Sequence, residues 1–234
     1  MGKEDIYKKY IERSQNYINV FDGATRFFRG KRMDGNWESP FNPLAVGRAY
    51  TEATAWQYRF FVPHDVNGMI QLFGGKEEFV AALDDIFNTD AEIHGNLVDI
   101  TGLIGQYVHG NEPSHHIAYL YNYVGEPWKT QKMSRRLLNE MYHPTPEGII
   151  GNEDCGQMSA WYILSSMGLY SVCPGSNEYV LTTPLFEKVV VHLANGRTLT
   201  ILANDPQKNI YITKVELNGK QIDTNFITYD CLMG

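Results

Sequence analysis

Apolar residues recur at helical spacing along the first two thirds of the chain. In the opening segment, MGKEDIYKKYIERSQNYINVFD, this spacing predicts an amphipathic helix. One face of that helix would carry Tyr7, Tyr10, Ile11, Tyr17 and Ile18. In the segment KEEFVAALDDIFN, a second helix is predicted whose apolar stripe consists of Phe79, Leu83, Ile86 and Phe87. Both patterns are typical of helices with one apolar face.

Further helices are indicated between these segments and the last quarter of the chain. HDVNGMIQLFGG can form a short helix, and PSHHIAYLYNYVG and PWKTQKMSRRLLNEMY each have a proline near the first turn, where a missing N–H costs little. CGQMSAWYILSSMGLY is apolar almost all round and predicts a helix buried on every side. Helix pairs joined by long polar and aromatic loops indicate a mainly α fold, part of a helical toroid, with a site built by loops at one end.

From Pro184 onward the pattern changes to short β-branched runs, KVVVHLA, TLTILA, IYITKVEL, KQIDT and FITYD, separated by NG and DP turn signals. Asn195 and Gly196 predict a hairpin with a type I′ turn. We therefore expect a helical region over residues 1–183 and a small β-rich module over residues 184–234. A module ending at FITYDCLMG would leave an unpaired strand edge, so we expect the domain to continue beyond it.

Composition narrows the classes of function. The net charge is −7 without a basic run, which argues against a nucleic-acid partner. No apolar run reaches the length of a membrane span, and the charged start lacks the apolar stretch of a signal peptide. Cys155, Cys173 and Cys231 lack metal-binding spacing and are interpreted as free, buried thiols. Aromatic residues reach 13%, which suits ring-lined carbohydrate clefts but also large cores.

Three segments combine carboxylates, amides and aromatic residues. In YTEATAWQYRFFVPHD, Glu52 lies near Tyr50, Trp56 and Tyr58, and partial desolvation there would raise its pKa toward that of a general acid. The alternative is an ordinary surface glutamate. In HGNEPSHH, either Asn111 or Glu112 can cap the helix that follows.

The HGNEPSHH cluster is denser than a cap requires. It lacks the HExxH zinc spacing, and the oxygens of Asn111 and Glu112 suit a hard cation such as Ca²⁺ better than Zn²⁺. His115 and His116 would instead form hydrogen bonds within the fold or line the pocket. The segment therefore leaves two interpretations open, a helix cap and a cation site.

In the third segment, GNEDCGQMSAW, Asp154 and Gln157 match a D-x-x-Q capping box. The positive end of the helix would keep Asp154 ionised, which suits a general base or a cation ligand, and Glu153 adds a neighbouring charge. A protonated Glu52 and an ionised Asp154, brought together across one cleft, would be the two carboxyl groups of a glycoside hydrolase.

These segments together resemble glycoside hydrolase family 92, over nearly the whole chain and in the expected order. They are YTEATAWQYRFFVPHD, HGNEPSHHIAYLYNYVGEPWKTQ and GNEDCGQMSAWYILSSMGLYSVCPGSNEYVLTTPLF. The resemblance implies a Ca²⁺-dependent exo-α-mannosidase that inverts the anomeric centre, built as an N-terminal β-sandwich domain and an (α/α)₆ barrel with a β-rich tail. It implies that residues 1–183 form part of that barrel.

The resemblance also implies roles for individual residues. Glu52 would be the general acid and Asp154 the general base, with Glu153 as a further possibility. Asn111, Glu112 and Asp154 would hold the Ca²⁺, which binds mannose O2 and O3. The terminal-mannose pocket would be shaped by Trp56, Gln57, His64, Asp65, His115 and His116.

Two departures from the family pattern matter. Asn152 stands where some members carry Asp, so the base role would rest on Asp154. Family members are also several hundred residues longer, and this chain begins near the middle of the barrel. The alternative is therefore a catalytically incomplete fragment that binds mannosides and needs an N-terminal half or a homo-oligomeric partner. The resemblance implies α-mannoside glycans as substrates, N-glycan degradation as the setting, and export to the periplasm, surface or medium of a bacterium.

Overall fold

The computed structural model describes residues 2–47, 49–95 and 100–234, which divide into two compact units, Met1–Ser114 and His115–Gly234. The fold is mixed and mostly helical, with small antiparallel sheets. The boundary predicted at residues 183/184 falls inside the second unit. Within the described residues, no helix combines the length and apolarity that a membrane crossing requires.

The first unit contains short helices and two-stranded ladders. In chain order they are α1 (Glu4–Arg13), a 3₁₀ segment (Ser14–Val20), β1 (Phe21–Asp22), β2 (Phe27–Phe28), α2 (Ala55–Tyr58), α3 (Val66–Leu72), α4 (Lys76–Asn88), β3 (Leu103–Ile104), β4 (Tyr107–Val108) and a 3₁₀ turn (Glu112–Ser114). Strand β1 pairs with β2, and β3 with β4, both antiparallel.

The core of the first unit forms where the predicted stripe of α4 is buried. Phe79, Leu83, Ile86 and Phe87 are all buried, which confirms the helix predicted for this segment. The Phe79 ring packs 5.2 Å from that of Phe73, at the end of α3, and 5.7 Å from Phe60. Helices α3 and α4 thereby fix the loop that contains residues 59–65.

The opening segment differs from its prediction. Helix α1 ends at Arg13, and Tyr17 and Ile18 lie on the following 3₁₀ segment rather than on the same helix. The Ser14 hydroxyl donates to the Ile11 carbonyl at 2.6 Å, a local bond that competes with continuation of the helix. The apolar residues of α1 are exposed: Ile6, Tyr7, Tyr10 and Ile11.

The second unit starts with helices and ends with strands. In chain order they are a 3₁₀ segment (Ile117–Val124), α5 (Pro127–Glu140), α6 (Gln157–Ser166), β5 (Leu169–Tyr170), β6 (Glu178–Leu181), β7 (Lys188–His192), β8 (Thr198–Leu202), β9 (Val215–Leu217), β10 (Lys220–Ile222), β11 (Phe226–Thr228) and α7 (Tyr229–Met233). Strands β11, β6 and β5 form one antiparallel sheet in that order, and β7–β8 and β9–β10 are separate ladders.

Helix α5 begins with Pro127 at its first turn, as predicted, but the preceding segment is a 3₁₀ helix over Ile117–Val124. Its sequence, IAYLYNYV, is rich in aromatic and β-branched residues with low α-helix propensity. Gly125 then ends the segment in a left-handed conformation with φ 84°. A stack of buried rings lies beneath it, in which Tyr119 and Tyr170 are parallel with centroids 4.2 Å apart.

The prediction that α6 is buried on every side is wrong. Met158, Trp161 and Ser165 are buried, whereas Ala160 is exposed and the Ile163 side chain is 56% exposed. Only one face of α6 packs on the ring stack, where Trp161 lies parallel to Tyr142 with centroids 5.8 Å apart. The apolar sequence therefore continues onto the face of the helix that is open in this unit.

The predicted hairpin is confirmed, but its turn type is wrong. Val190 pairs with Thr200, and the loop closes through Leu193 N–H to Arg197 O at 2.9 Å. A type I′ turn needs positive φ at both central residues, but among Asn195 and Gly196 only Gly196 has it, at 81°. The Asn195 side chain accepts from Arg197 N–H, and the loop is a three-residue turn with a glycine bulge.

The expectations for two C-terminal runs and for the burial of the cysteines are corrected. The run IYITKVEL forms a strand only over Val215–Leu217, and YD of FITYD begins α7, whose N-cap Thr228 accepts from Cys231 N–H. The cysteines are free, as predicted, but Cys155 and Cys231 are exposed and Cys173 is half-buried. Cys155 lies in a loop and Cys231 on α7, so neither reaches the core.

Candidate active site

Glu52 lies on a loop two residues before the N-cap of α2, in the left-handed backbone region with φ 53°. Its side chain is exposed, so the prediction that rings desolvate it is wrong for this chain. Tyr50 and Tyr58 pack on each other instead, with centroids 5.6 Å apart. Among the described residues, none makes a hydrogen bond to the Glu52 carboxylate. Its backbone carbonyl accepts from Asn111 Nδ2 at 2.7 Å.

Helix α2 begins with a complete capping box. Gln57 Oε1 accepts from Thr54 N–H at 2.7 Å, Thr54 Oγ1 accepts from Trp56 N–H at 3.2 Å, and Gln57 Nε2 donates to the carbonyl of Gln106. Thr54 is 0% and Gln57 1% exposed. The polar atoms of Gln57, predicted to bind substrate, are therefore used inside the first unit.

Trp56 is half-buried and held among other rings. Its ring packs edge-on against Phe27 at 5.3 Å, and the Arg59 guanidinium lies 5.4 Å from its centroid. Burial lowers the pKa of Arg59 to about 10. Within the described ranges, the indole N–H of Trp56 is buried without a hydrogen-bond partner. Trp56 is thus the predicted pocket residue of this loop with an unused polar atom.

His64 and Asp65 fasten the 3₁₀ segment Ser14–Val20. His64 Nε2 lies 2.9 Å from the Ser14 carbonyl, and Asp65 caps α3 by accepting from Gly68 N–H at 2.9 Å. Asp65 also accepts from Tyr17 at 2.8 Å. Partial burial would raise the pKa of Asp65, but the hydrogen bonds from Tyr17 and Gly68 outweigh it and lower that pKa below its usual value. His64 and Asp65 remain predicted pocket residues, and both also make hydrogen bonds that stabilise the first unit.

The segment 109–112 presents one exposed carboxylate next to a buried amide. His109 is fully buried, with Nδ1 2.8 Å from the Tyr107 hydroxyl. Asn111 is 5% exposed, and its Oδ1 accepts from Glu112 N–H at 3.1 Å while its backbone carbonyl accepts from Ser114 N–H. Asn111 therefore initiates the turn, as one of the two predicted caps. Glu112 is exposed, and no described residue makes a hydrogen bond to its carboxylate.

The loop before α6 overturns the predicted capping box. The N-cap is Gly156, and the carboxylate that bonds the helix end belongs to Glu153, which accepts from Gly156 N–H and from Ser159 N–H at 3.1 Å. Hydrogen bonds from Ser159, followed by that from Gly156, lower the pKa of Glu153. The free N–H groups at the start of α6 need an acceptor oxygen, and Glu153 supplies it, one residue before the predicted Asp154.

Asp154 is left exposed by this arrangement, with φ 54°, and Cys155 follows with φ 56°. In the described part of the chain no hydrogen bond reaches the Asp154 carboxylate. Gln157 turns inward instead, with Nε2 3.1 Å from His115 Nδ1, and Trp161 Nε1 donates to the His115 carbonyl at 3.0 Å. His115 and His116 are both buried, at 2% and 4% exposure.

A cation site was predicted from Asn111, Glu112 and Asp154. The described residues contain no group of three or more His, Cys, Asp or Glu side chains that could hold a metal ion. Asn111 and Glu112 belong to the first unit and Asp154 to the second. Their donor chemistry nevertheless fits calcium, because two exposed carboxylates and an amide oxygen with a spare lone pair are hard oxygen donors.

Sequence reasoning did not find two contacts that organise these loops. The first joins Asn111 to the Glu52 backbone, and the second joins Gln157 to His115. Both connect residues more than 40 positions apart, so local spacing carries no signal for them. Arg59 was also missed, since a cation among rings is not expected at a buried position.

The sequence model of the glycosyl hydrolase family 92 catalytic domain matches residues 1–234. A family GH92 α-mannosidase from Bacteroides thetaiotaomicron, solved in complex with mannoimidazole, is 39% identical and superposes with a TM-score of 0.92; the match covers 99% of this chain and 32% of that chain. A family GH92 inverting mannosidase from the same organism is 38% identical, with a TM-score of 0.87 and coverage of 99% and 33%.

A curated relative from Arthroderma benhamiae, named as an uncharacterized secreted glycosidase, is 31% identical over 257 aligned positions. The alignment covers 98% of this chain and 31% of that protein. The chain thus spans about a third of the length of the relatives it matches.

Proposed function

The chain belongs to glycosyl hydrolase family 92, and we propose that it carries the acid and base residues of an exo-α-mannosidase. The proposed reaction removes terminal α-linked mannose from glycans with inversion at the anomeric carbon. It is supported by similarity to an α-mannosidase solved with mannoimidazole and to an inverting mannosidase. Because the chain spans about a third of those relatives, the activity is proposed for the protein in its complete form.

One observation supports the two roles best: Glu52 and Asp154 share an unusual environment. Both are exposed, both lie just before a helix, and both have left-handed backbones, with φ 53° and 54°. This conformation costs a non-glycine residue roughly 1–2 kcal/mol, and such strain concentrates at functional sites. Their carboxylates make no hydrogen bonds to the described residues, whereas the nearby Gln57 and Glu153 are used by the fold.

In the proposed mechanism Glu52 acts as the general acid and Asp154 as the general base. Glu52 gives its proton to the glycosidic oxygen as the bond to the anomeric carbon breaks. Asp154 takes a proton from a water that attacks this carbon from the opposite face, which inverts the configuration. We assign the base role to Asp154 rather than Glu153, because both Glu153 oxygens already accept hydrogen bonds from the start of α6.

We further propose that Asn111, Glu112 and Asp154 hold Ca²⁺. When bound, the cation would supply positive charge that orients mannose O2 and O3. The exposed carboxylates of Glu112 and Asp154 would provide its charged donors, and Asn111 Oδ1 has one lone pair beyond its bond to Glu112 N–H.

The six predicted pocket residues divide by what their polar atoms already do. Trp56 is half-buried, so we propose that the accessible part of its ring contacts the sugar directly. Gln57, His64 and Asp65 make hydrogen bonds in the first unit and would support the pocket from behind. We propose the same supporting role for His115 and His116, which are buried.

The larger setting stays a proposal as well. We propose that residues 1–183 are part of an (α/α)₆ barrel, that residues 184–234 form its β-rich tail, and that the complete protein is exported. The secreted relative supports the last point. A second candidate function is mannoside binding by a catalytically incomplete chain that needs an N-terminal half or a second copy. The exposed apolar face of α1 favours it, because such a face suits a partner.

The test is mannose release from α-1,2-mannobiose by the complete protein and by this chain alone, each with Ca²⁺ and with EDTA. Release that depends on Ca²⁺ supports the enzyme and its cation together. Release that persists in EDTA removes the calcium proposal and keeps the enzyme. If this chain binds the disaccharide but releases no mannose, the second candidate is favoured. If the complete protein shows neither binding nor release, both candidates are contradicted.

A further inference from the structure

The side chain of Asn111 joins the two loops that carry Glu52 and Glu112. Its Nδ2 donates to the Glu52 backbone carbonyl at 2.7 Å, and its Oδ1 accepts from Glu112 N–H at 3.1 Å. Asn111 as a whole is 5% exposed, and both bonds are partly buried. The two bonded residues are 59 and 1 positions away along the chain.

The bond to Glu52 acts where the backbone is strained. With φ 53°, Glu52 occupies a region that non-glycine residues adopt at a cost of roughly 1–2 kcal/mol. The residues after it are fixed, since Ala53 is 1% exposed and Thr54 is held by the capping box. The orientation of the Glu52 carbonyl sets ψ of that residue, and the Asn111 amide is the group that bonds this carbonyl.

We propose that Asn111 is a positioning residue that holds Glu52 in its left-handed conformation and so aims its carboxyl group. This inference rests on the proposed function in taking Glu52 as the general acid. A general acid must come within roughly 2.6–3.2 Å of the oxygen it protonates. Displacement by about 1 Å can cost on the order of 100-fold in rate. A backbone fixed at the Cα of Glu52 limits how far its exposed side chain can move.

The same amide also fixes the start of the segment that carries Glu112. Asn111 therefore ties the proposed acid to the proposed cation ligand through one planar group. Replacing Asn111 by Asp separates its two bonds, because an aspartate oxygen can still accept from Glu112 N–H. Its other oxygen faces the Glu52 carbonyl without a proton to donate. Asn111→Asp is therefore expected to release Glu52 and to leave the turn at 112–114 in place.

The first test is NMR on the whole chain with ¹³C and ¹⁵N labels. In the unsubstituted protein we expect a scalar coupling across the hydrogen bond between Asn111 Nδ2 and the Glu52 carbonyl carbon. In Asn111→Asp we expect the Glu52 Cα and Cβ shifts to leave the left-handed range. The matched control is Asn88→Asp, because Asn88 Nδ2 also donates to a backbone carbonyl, that of Asp84, at 2.8 Å. It should leave the Glu52 shifts unchanged.

An absent coupling, or Glu52 shifts unmoved in folded Asn111→Asp, would overturn the positioning role. The coupling is measured without any substitution, so its absence would overturn the role even if Asn111→Asp does not fold. Neither reading requires turnover.

The second test uses the leaving group of the substrate. Dinitrophenolate leaves an α-mannoside without being protonated, whereas the sugar that leaves mannobiose must be protonated by the general acid. We expect Asn111→Asp to raise the ratio of kcat/KM for the dinitrophenyl substrate to that for mannobiose by about 10- to 100-fold, and Asn88→Asp to leave it unchanged. A merely structural loss would lower both values equally and contradict the inference.

The two tests also separate this inference from the proposed function. If the Glu52 shifts move as expected but the complete protein cleaves no mannoside, the positioning of Glu52 stands and the activity falls. If mannosides are cleaved while Asn111→Asp changes neither the shifts nor the ratio, the activity stands and the positioning falls.

Discussion

Gln57 offers the sharpest test of whether a predicted pocket residue contacts sugar or supports the fold. In Gln57→Leu the side chain keeps its approximate size but loses both polar atoms. Thr54 N–H then loses its acceptor at 2.7 Å, and the Gln106 carbonyl loses its donor. Both bonds are buried, since Thr54 and Gln57 are 0% and 1% exposed.

Each buried backbone group left without a partner costs roughly 1–3 kcal/mol, so the two together cost roughly 2–6 kcal/mol. Leucine needs no partner of its own, which places the expected loss in the lower part, about 2–4 kcal/mol. The control is Gln71→Leu, because Gln71 is exposed on α3 in the same unit. It should change the free energy of unfolding by less than about 0.5 kcal/mol.

The assay is urea unfolding, monitored by hydrogen exchange in peptides from residues 54–88. These peptides report on the first unit alone. A loss of the expected size, with an unchanged Michaelis constant for mannoside, assigns Gln57 to the fold. If Gln57→Leu unfolds like the unsubstituted chain and only the Michaelis constant rises, the capping box is not what holds this side chain, and the reasoning is refuted.

Four further predictions follow from the same loops. Glu52→Gln should leave the free energy of unfolding unchanged and slow turnover of mannobiose by about 10²- to 10⁴-fold, with little effect on a dinitrophenyl mannoside; equal losses on both substrates contradict the acid role. Asp154→Asn should abolish turnover of both substrates without loss of fold, and retained turnover would exclude it as the base. The folded pKa of Asp65 is lowered, so the ionised Asp65 stabilises the fold above its unfolded pKa of about 3.9, and this stabilisation is lost as pH falls through the folded value. The difference in free energy of unfolding between the natural chain and Asp65→Asn should therefore narrow below about pH 4. A difference that does not depend on pH would contradict this prediction. Glu153→Gln should speed amide exchange at Ser159, and unchanged exchange would exclude the carboxylate as the cap.

Sequence alone located the helices whose apolar stripes bury a core. Phe79, Leu83 and Ile86 face inward as their spacing predicts. It also predicted that the candidate carboxylates lie where loops meet helix starts, and Glu52 and Asp154 do lie just before α2 and α6. The prediction that α6 is buried on every side was wrong, because an apolar sequence has the same pattern whether one face or all faces of the helix are covered. Ile163 on α6 is exposed.

The sequence could not assign individual side chains within those loops. Asp154 and Glu153 are both near enough to cap α6, and the choice depends on the left-handed turn at Asp154, Cys155 and Gly156. Likewise Asn111 is a plausible cap or ligand by spacing, while its bond to Glu52 depends on how distant loops fold together. The hairpin was predictable from Asn195 and Gly196, but its turn type was not: only Gly196 has positive φ, and the Asn195 side chain accepts from the backbone N–H of Arg197.

The left-handed backbones of Glu52 and Asp154 have a consequence for protein engineering. Glycine adopts this conformation without the steric penalty of roughly 1–2 kcal/mol. It also makes the unfolded chain more flexible, which lowers the free energy of unfolding by roughly 0.4–1 kcal/mol. Glu52→Gly and Asp154→Gly would thus be as stable as the natural chain, or slightly more so, since neither carboxylate bonds a described residue. A laboratory selection for heat resistance alone would therefore tolerate or enrich the two changes that remove the proposed chemistry, so such a selection needs a mannoside-cleavage step alongside it.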